Sequence, residues 1–171
     1  MMNREQRRAQ LKALGKKIKG LEITNGVVSW PINKNEKLPI DLMDFGVVYH
    51  ITKICDDFVD VKATYAEDFE RINALADERK QMVATVELYY EKISQDFVGH
   101  VEGVFGEGSA IKIFGNKHPG MAQVAEFISG VLPLMEVVMA LMKSEVEAAG
   151  GNKPERKDDL VAEALGRAGN V

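Results

Sequence analysis

Residues Phe105 to Gly120, FGEGSAIKIFGNKHPG, gather glycines, lysines and a histidine into one short stretch. Phosphate-cradling loops are built from such residues, because glycine lets backbone amides approach an anion and lysine neutralises it. The spacing does not complete that chemistry. A Walker loop needs Ser or Thr directly after its lysine and a strand before the loop, whereas Lys117 is followed by His118 and the preceding sequence is helical in pattern. A dinucleotide fingerprint begun at Gly106 and Gly108 would need a glycine at position 111, which is Ile111. The stretch therefore reads as a corner. Gly106 and Gly108 end one helix, Ser109 caps a short turn over AIKIF, Gly115 ends that turn, and Pro119 stands near the start of the next helix. Phe105, Ile111, Ile113 and Phe114 are the expected apolar anchors.

The other reactive residue types are scattered. His50, His100 and His118 form no HxxxH or HExxH pair that would hold a metal on one helix face. The single cysteine, Cys55, forbids an internal disulfide and any multi-cysteine metal site, and in HITKICDDF it reads as a small apolar residue of a helix. Asp56, Asp57 and Asp60 cluster, as do Asp158 and Asp159, and both groups read as solvated faces. With no nucleophile motif and no triad, the expectation is a non-enzymatic protein with no cofactor and no bound metal.

The elements around these residues are mainly helical. Apolar residues make up 46% and charged residues 28%, the balance of a folded soluble domain. The longest apolar run, Val131 to Met142, is interrupted by Glu136, and no uninterrupted run reaches the roughly 18 residues of a membrane span, so no membrane association is expected. Residues 1–20 carry seven Lys/Arg against one Glu, a charge of +6, so the rest carries −10 of the chain's −4. This basic leader forms the first unit, a narrow-striped helix opened by Asn3.

Residues 21–149 are expected to form the folded unit. LEITNGVVSWPI, residues 21–32, reads as a β-hairpin turning at Asn25-Gly26, with Pro31 placing that end of its second strand at a sheet edge. Ile23, Val28 and Trp30 should pack on a neighbouring helix or subunit, and NKNEKLP is a polar connector. Asp41 then caps a helix with Leu42, Phe45, Tyr49, Ile51, Thr52, Cys55 and Val59 near a 3.6 period. Thr64 to Phe105 forms one long amphipathic helix, or two joined near Arg79. Met121 to Ala149 forms the last, with a kink or break at Pro133. Residues 150–171, a Gly/Pro/charge-rich linker and LVAEALGRA, form a loosely held tail. The fold expected is thus a helical bundle with an N-terminal β-hairpin and flexible termini.

Four of the eight methionines lie between Met121 and Met142, and methionine supplies adaptable apolar surface. Met121, Val124, Phe127, Ile128, Val131, Met135, Met139 and Met142 are therefore the candidate partner-binding residues, facing another chain or a second copy.

Three motifs carry a family resemblance: NREQRR at Asn3 to Arg8, the Asn-Gly hairpin before CDDF, and VFGEGSAIKIFGNK at residues 104–117. Over residues 21–142 the layout resembles a family of small helical proteins from the tail-morphogenesis region of siphophages and prophages of Gram-positive bacteria. That resemblance implies a tail assembly chaperone of the host cytoplasm that keeps the tape measure protein soluble or meets the tail tube protein. The alternatives it leaves are a minor tail or connector component of the virion, and a nucleic-acid-binding regulator acting through the basic leader. The acidic body disfavours the last.

Overall fold

A computed structural model of the chain describes residues 22–24, 26–32 and 36–150, together with Glu5, Gln6 and Ala9, which are helical. The remaining leader positions, Leu21, Asn25, residues 33–35 and residues 151–171 lie outside the described residues, and with them the leader helix as a whole, the first part of the expected connector and the loosely held tail.

The described body is mainly helical with an N-terminal antiparallel sheet. Strands β1 (Glu22–Thr24) and β2 (Val27–Pro31) form the hairpin, paired Ile23 to Val28. Gly26 supplies the positive φ, +91°, that the reversal requires. The sheet has a third strand where the sequence suggested a connector: β3 (Lys37–Asp41) pairs with β2 from Val27↔Asp41 to Pro31↔Lys37. Leu38 and Ile40 alternate with polar residues or Pro39 there, a period-2 pattern too short to stand out beside the charges before it. Among the described residues Pro31 lies beyond the last one that pairs with β1, and it pairs with Lys37 of β3.

Because β3 runs to Asp41, the cap of the next helix moves. Asp41 Oδ1 accepts from the Met43 amide at 2.9 Å in a tight turn. Asp44 Oδ1 accepts from Gly46 at 2.7 Å and caps α1 (Phe45–Asp57). Gly46 thus sits in the first turn, where it weakens the helix least. Two short helices follow, α2 (Val61–Thr64) under the Asp60 cap and α3 (Ala66–Asn73). The chain breaks at Ala74 to Asp77, and Asp77 Oδ1 accepts from the Arg79 and Lys80 amides to start α4 (Glu78–Leu88). A π-helical turn, Tyr89–Ile93, joins α4 to α5 (Ser94–Phe105). The stretch from Thr64 to Phe105 is therefore more than one helix, interrupted just before the expected join. After the corner helix α6 (Ser109–Phe114), α7 (Met121–Gly150) runs without a break through Pro133. Proline removes one amide donor there, and the residues around it are buried: Val131, Leu134, Val137 and Val138.

One core joins all layers. Val28, Ile40 and Leu42 from the sheet end pack with Val48, Ile51 and Ile54 of α1, Phe97 and Val101 of α5, and the inward face of α7. Trp30 seats on α7, where a Cβ on Gly130 would meet its ring at 3.0 Å, and its ring centroid lies 5.8 Å from that of Phe127. Glycine is needed there because the indole approaches the helix backbone. Met121–Ser144 is long and apolar enough, by length and composition, to cross a membrane, with a mean hydropathy of 1.8. Counting only uninterrupted runs misses this property. In this fold the apolarity has a packing explanation, since eight of those side chains, from Val124 to Leu141, are in the core.

Candidate partner-binding surface

The glycine corner is geometrically a helix junction. Gly106 ends α5 at φ +94°, Gly108 precedes α6 at φ +75°, and Gly115 ends α6 at φ +74°, all conformations that suit glycine. The corner amides are engaged internally. Gly106 donates to the Glu102 carbonyl, Gly108 to Glu102 Oε1 at 3.0 Å, and Gly115 to the Ile111 carbonyl. A phosphate would have to displace a carboxylate to reach Gly108. Phe105, Ile113 and Phe114 pack against the core, with Phe114 5.4 Å and Phe105 6.1 Å from the Phe127 ring. Two details differ from the sequence reading. Ala110 is buried in place of Ile111, which is exposed, and Ser109 does not cap α6 but lies buried with its hydroxyl unpartnered.

The candidate partner residues of α7 divide in two. Val124, Phe127, Ile128 and Val131 are core residues and Met135 packs against the core, so none of these five presents a free face. Met121, Met139 and Met142 are exposed, and Val146, 70% exposed, extends the last two at helical spacing. The 30-residue helix packs along one arc and leaves Met121, Met139 and Met142 outside it.

A second apolar surface lies along α4 and the π-helical turn that follows it, within the stretch the sequence marks as amphipathic. Met82, Val86 and Tyr90, four residues apart, are 63%, 63% and 55% exposed, Val83 lies beside them, and α4 has no buried residue. Leu88 packs against the core at the end of α4, but eleven residues of which none is fully buried gain little from tertiary packing, the term that usually holds a short helix. Their support is local: the Asp77 cap, the Gln81 side chain donating to the Leu75 carbonyl at 2.6 Å, and continuity with α5. The stripe runs into a cleft lined by Val86, Tyr89, Tyr90, Ser94, Pro119 and Met121, so Met121 joins α4 rather than the rest of its own helix's methionines. Sequence periodicity alone could not have assigned this face, because an exposed apolar stripe and a buried one share one pattern.

Histidines fifty residues apart in sequence meet. His50 Nδ1 and His100 Nδ1 are 2.9 Å apart, one donating to the other, bridging α1 and α5, with Tyr49 and Phe58 rings alongside. Burial lowers the pKa of His100, and the neighbouring His50 lowers it further. His118 stacks on Tyr90, ring centroids 4.4 Å apart. Among the described residues no group of three or more metal-ligating side chains converges. Nearby polar groups are structural. Tyr65 donates to Asp96 at 2.9 Å, and its pKa is raised by burial and then by that bond. Asp68 pairs with Lys92 and Arg71, Asp57 with Lys53, and the thiol of Cys55 is pushed up by burial.

The chain matches no protein-family model, no curated protein and no solved structure. The functional reading therefore rests on the surfaces just described and on the motif resemblance.

Proposed function

We propose that this protein is a non-enzymatic binding protein of phage or prophage tail assembly, acting in the bacterial cytoplasm as a chaperone that receives amphipathic helices of a tape measure protein. The carrying observation is the apolar stripe along α4 and the turn after it, where Met82, Val86 and Tyr90 face solvent and no side chain of α4 is fully buried. Such a face is completed by another helix laid along it, with anchors at i, i+4 and i+8. The exposed Met139, Met142 and Val146 of α7 offer a second face of the same chemistry, and methionine adapts to varied partners. The tail-assembly context is supplied by the resemblance of residues 21–142 alone.

The test is a pull-down of tagged full-length protein from phage-infected or prophage-induced cells, with mass spectrometry of the bound fraction and of finished particles. Tape measure protein in the bound fraction, with this chain missing from particles, is the expected result. Stoichiometric copies in particles would make it a tail component instead. Salt-sensitive recovery of nucleic acid alone, lost on deleting residues 1–20, would overturn both in favour of a regulator.

A further inference from the structure

Helix α7 carries two apolar arcs. The inner one, with Leu134, Val137, Val138 and Leu141, is buried in the core. A helix that serves one core turns the rest of its surface to water as a polar face. Beside the inner arc, however, Leu132, Met139, Met142 and Val146 are all exposed, with half-buried Met135 among them. From Leu132 to Val146 these five residues fall at intervals of three, four, three and four. That spacing is the seam of a coiled coil, in which the first and fourth positions of each heptad meet a second helix.

The charges beside the seam say what covers it. Its solvent side carries Glu136 and Lys143, one heptad apart and both exposed, and neither forms an ion pair among the described residues. Both stand at the flanking position that sets partner and direction in a coiled coil. In an antiparallel pair of identical helices, Met139 of one copy set against Met142 of the other also sets Met135 against Val146. The same register brings Glu136 beside Lys143 of the second copy, and two-fold symmetry makes that ion pair twice. A parallel pair would instead set Glu136 beside Val131 and Lys143 beside Val138, both of which are buried in the core of their own copy. The charge pattern of this arc is therefore complementary to itself, and only when the helix runs antiparallel.

We propose that the outer arc of α7 binds a second copy of this chain in an antiparallel two-fold pair, with Leu132, Met135, Met139, Met142 and Val146 as the seam and Glu136–Lys143 ion pairs along its solvent edge. The arc is one helix wide and, from Leu132 to Val146, about 21 Å long. Such a face is smaller than a standard interface, so the dimer is weak and forms by mass action, while each copy keeps its own core. The α7 face that the proposed function leaves open to a client thus goes to a second copy. Under that function the pair carries two α4 faces to one client, and breaking it weakens capture through lost avidity. The pairing itself does not rest on the tail-assembly reading.

The test is sedimentation velocity of the full-length protein, without client, from about 5 to about 500 μM. A dimer that grows with concentration is expected. Met139→Lys should weaken it by roughly tenfold or more, with melting unchanged at the lowest concentration because that side chain is exposed. Glu136→Lys and Lys143→Glu should each weaken the dimer by roughly tenfold, since each sets like charges together, and the double exchange should return it to within about threefold of the parent. That recovery is the decisive arm, because a parallel pair has no such reciprocity. A monomer across the range, a dimer indifferent to Met139→Lys or to the single charge changes, or a double exchange as weak as either single change would overturn the assignment. So would a dimer lost in Met82→Glu/Val86→Glu, which would put the second copy on α4. A chain that stays monomeric and floats with phosphatidylcholine vesicles would overturn it in favour of a lipid surface.

Discussion

Replacing Gly103 by alanine probes the contact between α1 and α5 at its tightest point. A Cβ on Gly103 would stand 2.4 Å from Cδ2 and Nε2 of His50 and 2.5 Å from Cγ, so the whole imidazole must move. It cannot move freely, because its other neighbours are His100 at 2.9 Å and the Tyr49 ring, whose centroid lies 5.2 Å away. Two effects compete. Alanine in a helix gains about 1 kcal/mol over glycine. Overpacking costs about 1–3 kcal/mol, and displacing His50 forfeits a hydrogen bond of about 1 kcal/mol. The cost wins by about 1–3 kcal/mol, which for a chain of this size lowers the melting temperature by roughly 2–12 °C. Gly99, one turn earlier on the same helix, is the matched control. A Cβ there meets nothing within 4 Å, so Gly99→Ala should gain the full propensity term and melt about 2–4 °C higher. The assay is thermal unfolding of the two variants followed by circular dichroism at pH 7.5. A Gly103→Ala variant that melts at or above the parent would mean that His50 has no fixed place over α5.

The histidine pair also sets a pH dependence. Burial, and then His50, depress the folded-state pKa of His100 below its ordinary 6.5; the native state therefore binds fewer protons than the unfolded one below that pH. The contribution of this site should be complete above about pH 6.5 and decline on acidification, and His100→Gln should flatten that limb of a melting-temperature titration. Phe127→Ala, which empties the centre of the ring cluster formed with Trp30, Phe97, Phe105 and Phe114, should cost about 3–5 kcal/mol in urea unfolding. Tyr65→Phe removes the hydrogen bond to Asp96 and should cost about 1 kcal/mol in the same assay. Met139→Lys and Val146→Lys should leave the melting temperature nearly unchanged, both side chains being exposed, while weakening capture of a tape measure fragment.

How much of this could be read from sequence varies by element. The hairpin and the helical class were legible because Asn25-Gly26 and the 3.6-residue periods are local signals. The glycine corner was legible for the same reason, as φ values of +74° to +94° call for glycine at positions 106, 108 and 115. Strand β3 was hidden because only two of its five residues, Leu38 and Ile40, point to the interior. The α7 surface was half legible: periodicity locates an apolar arc but does not say which part another element covers, so Val124, Phe127, Ile128 and Val131 went to the core and three methionines to solvent. The pairing of His50 with His100 and the unpartnered Tyr89 and Ser94 hydroxyls are products of tertiary placement, with no spacing in the chain to announce them.

Isothermal titration of purified protein with helical tape measure fragments asks whether the bare face of α4 receives a client helix. Parent protein should bind a fragment saturably, and Met82→Glu/Val86→Glu should lose that binding by roughly tenfold or more while melting at the same temperature, because α4 buries neither side chain. Binding undiminished in the double variant, or no binding by the parent to any fragment, would contradict the account.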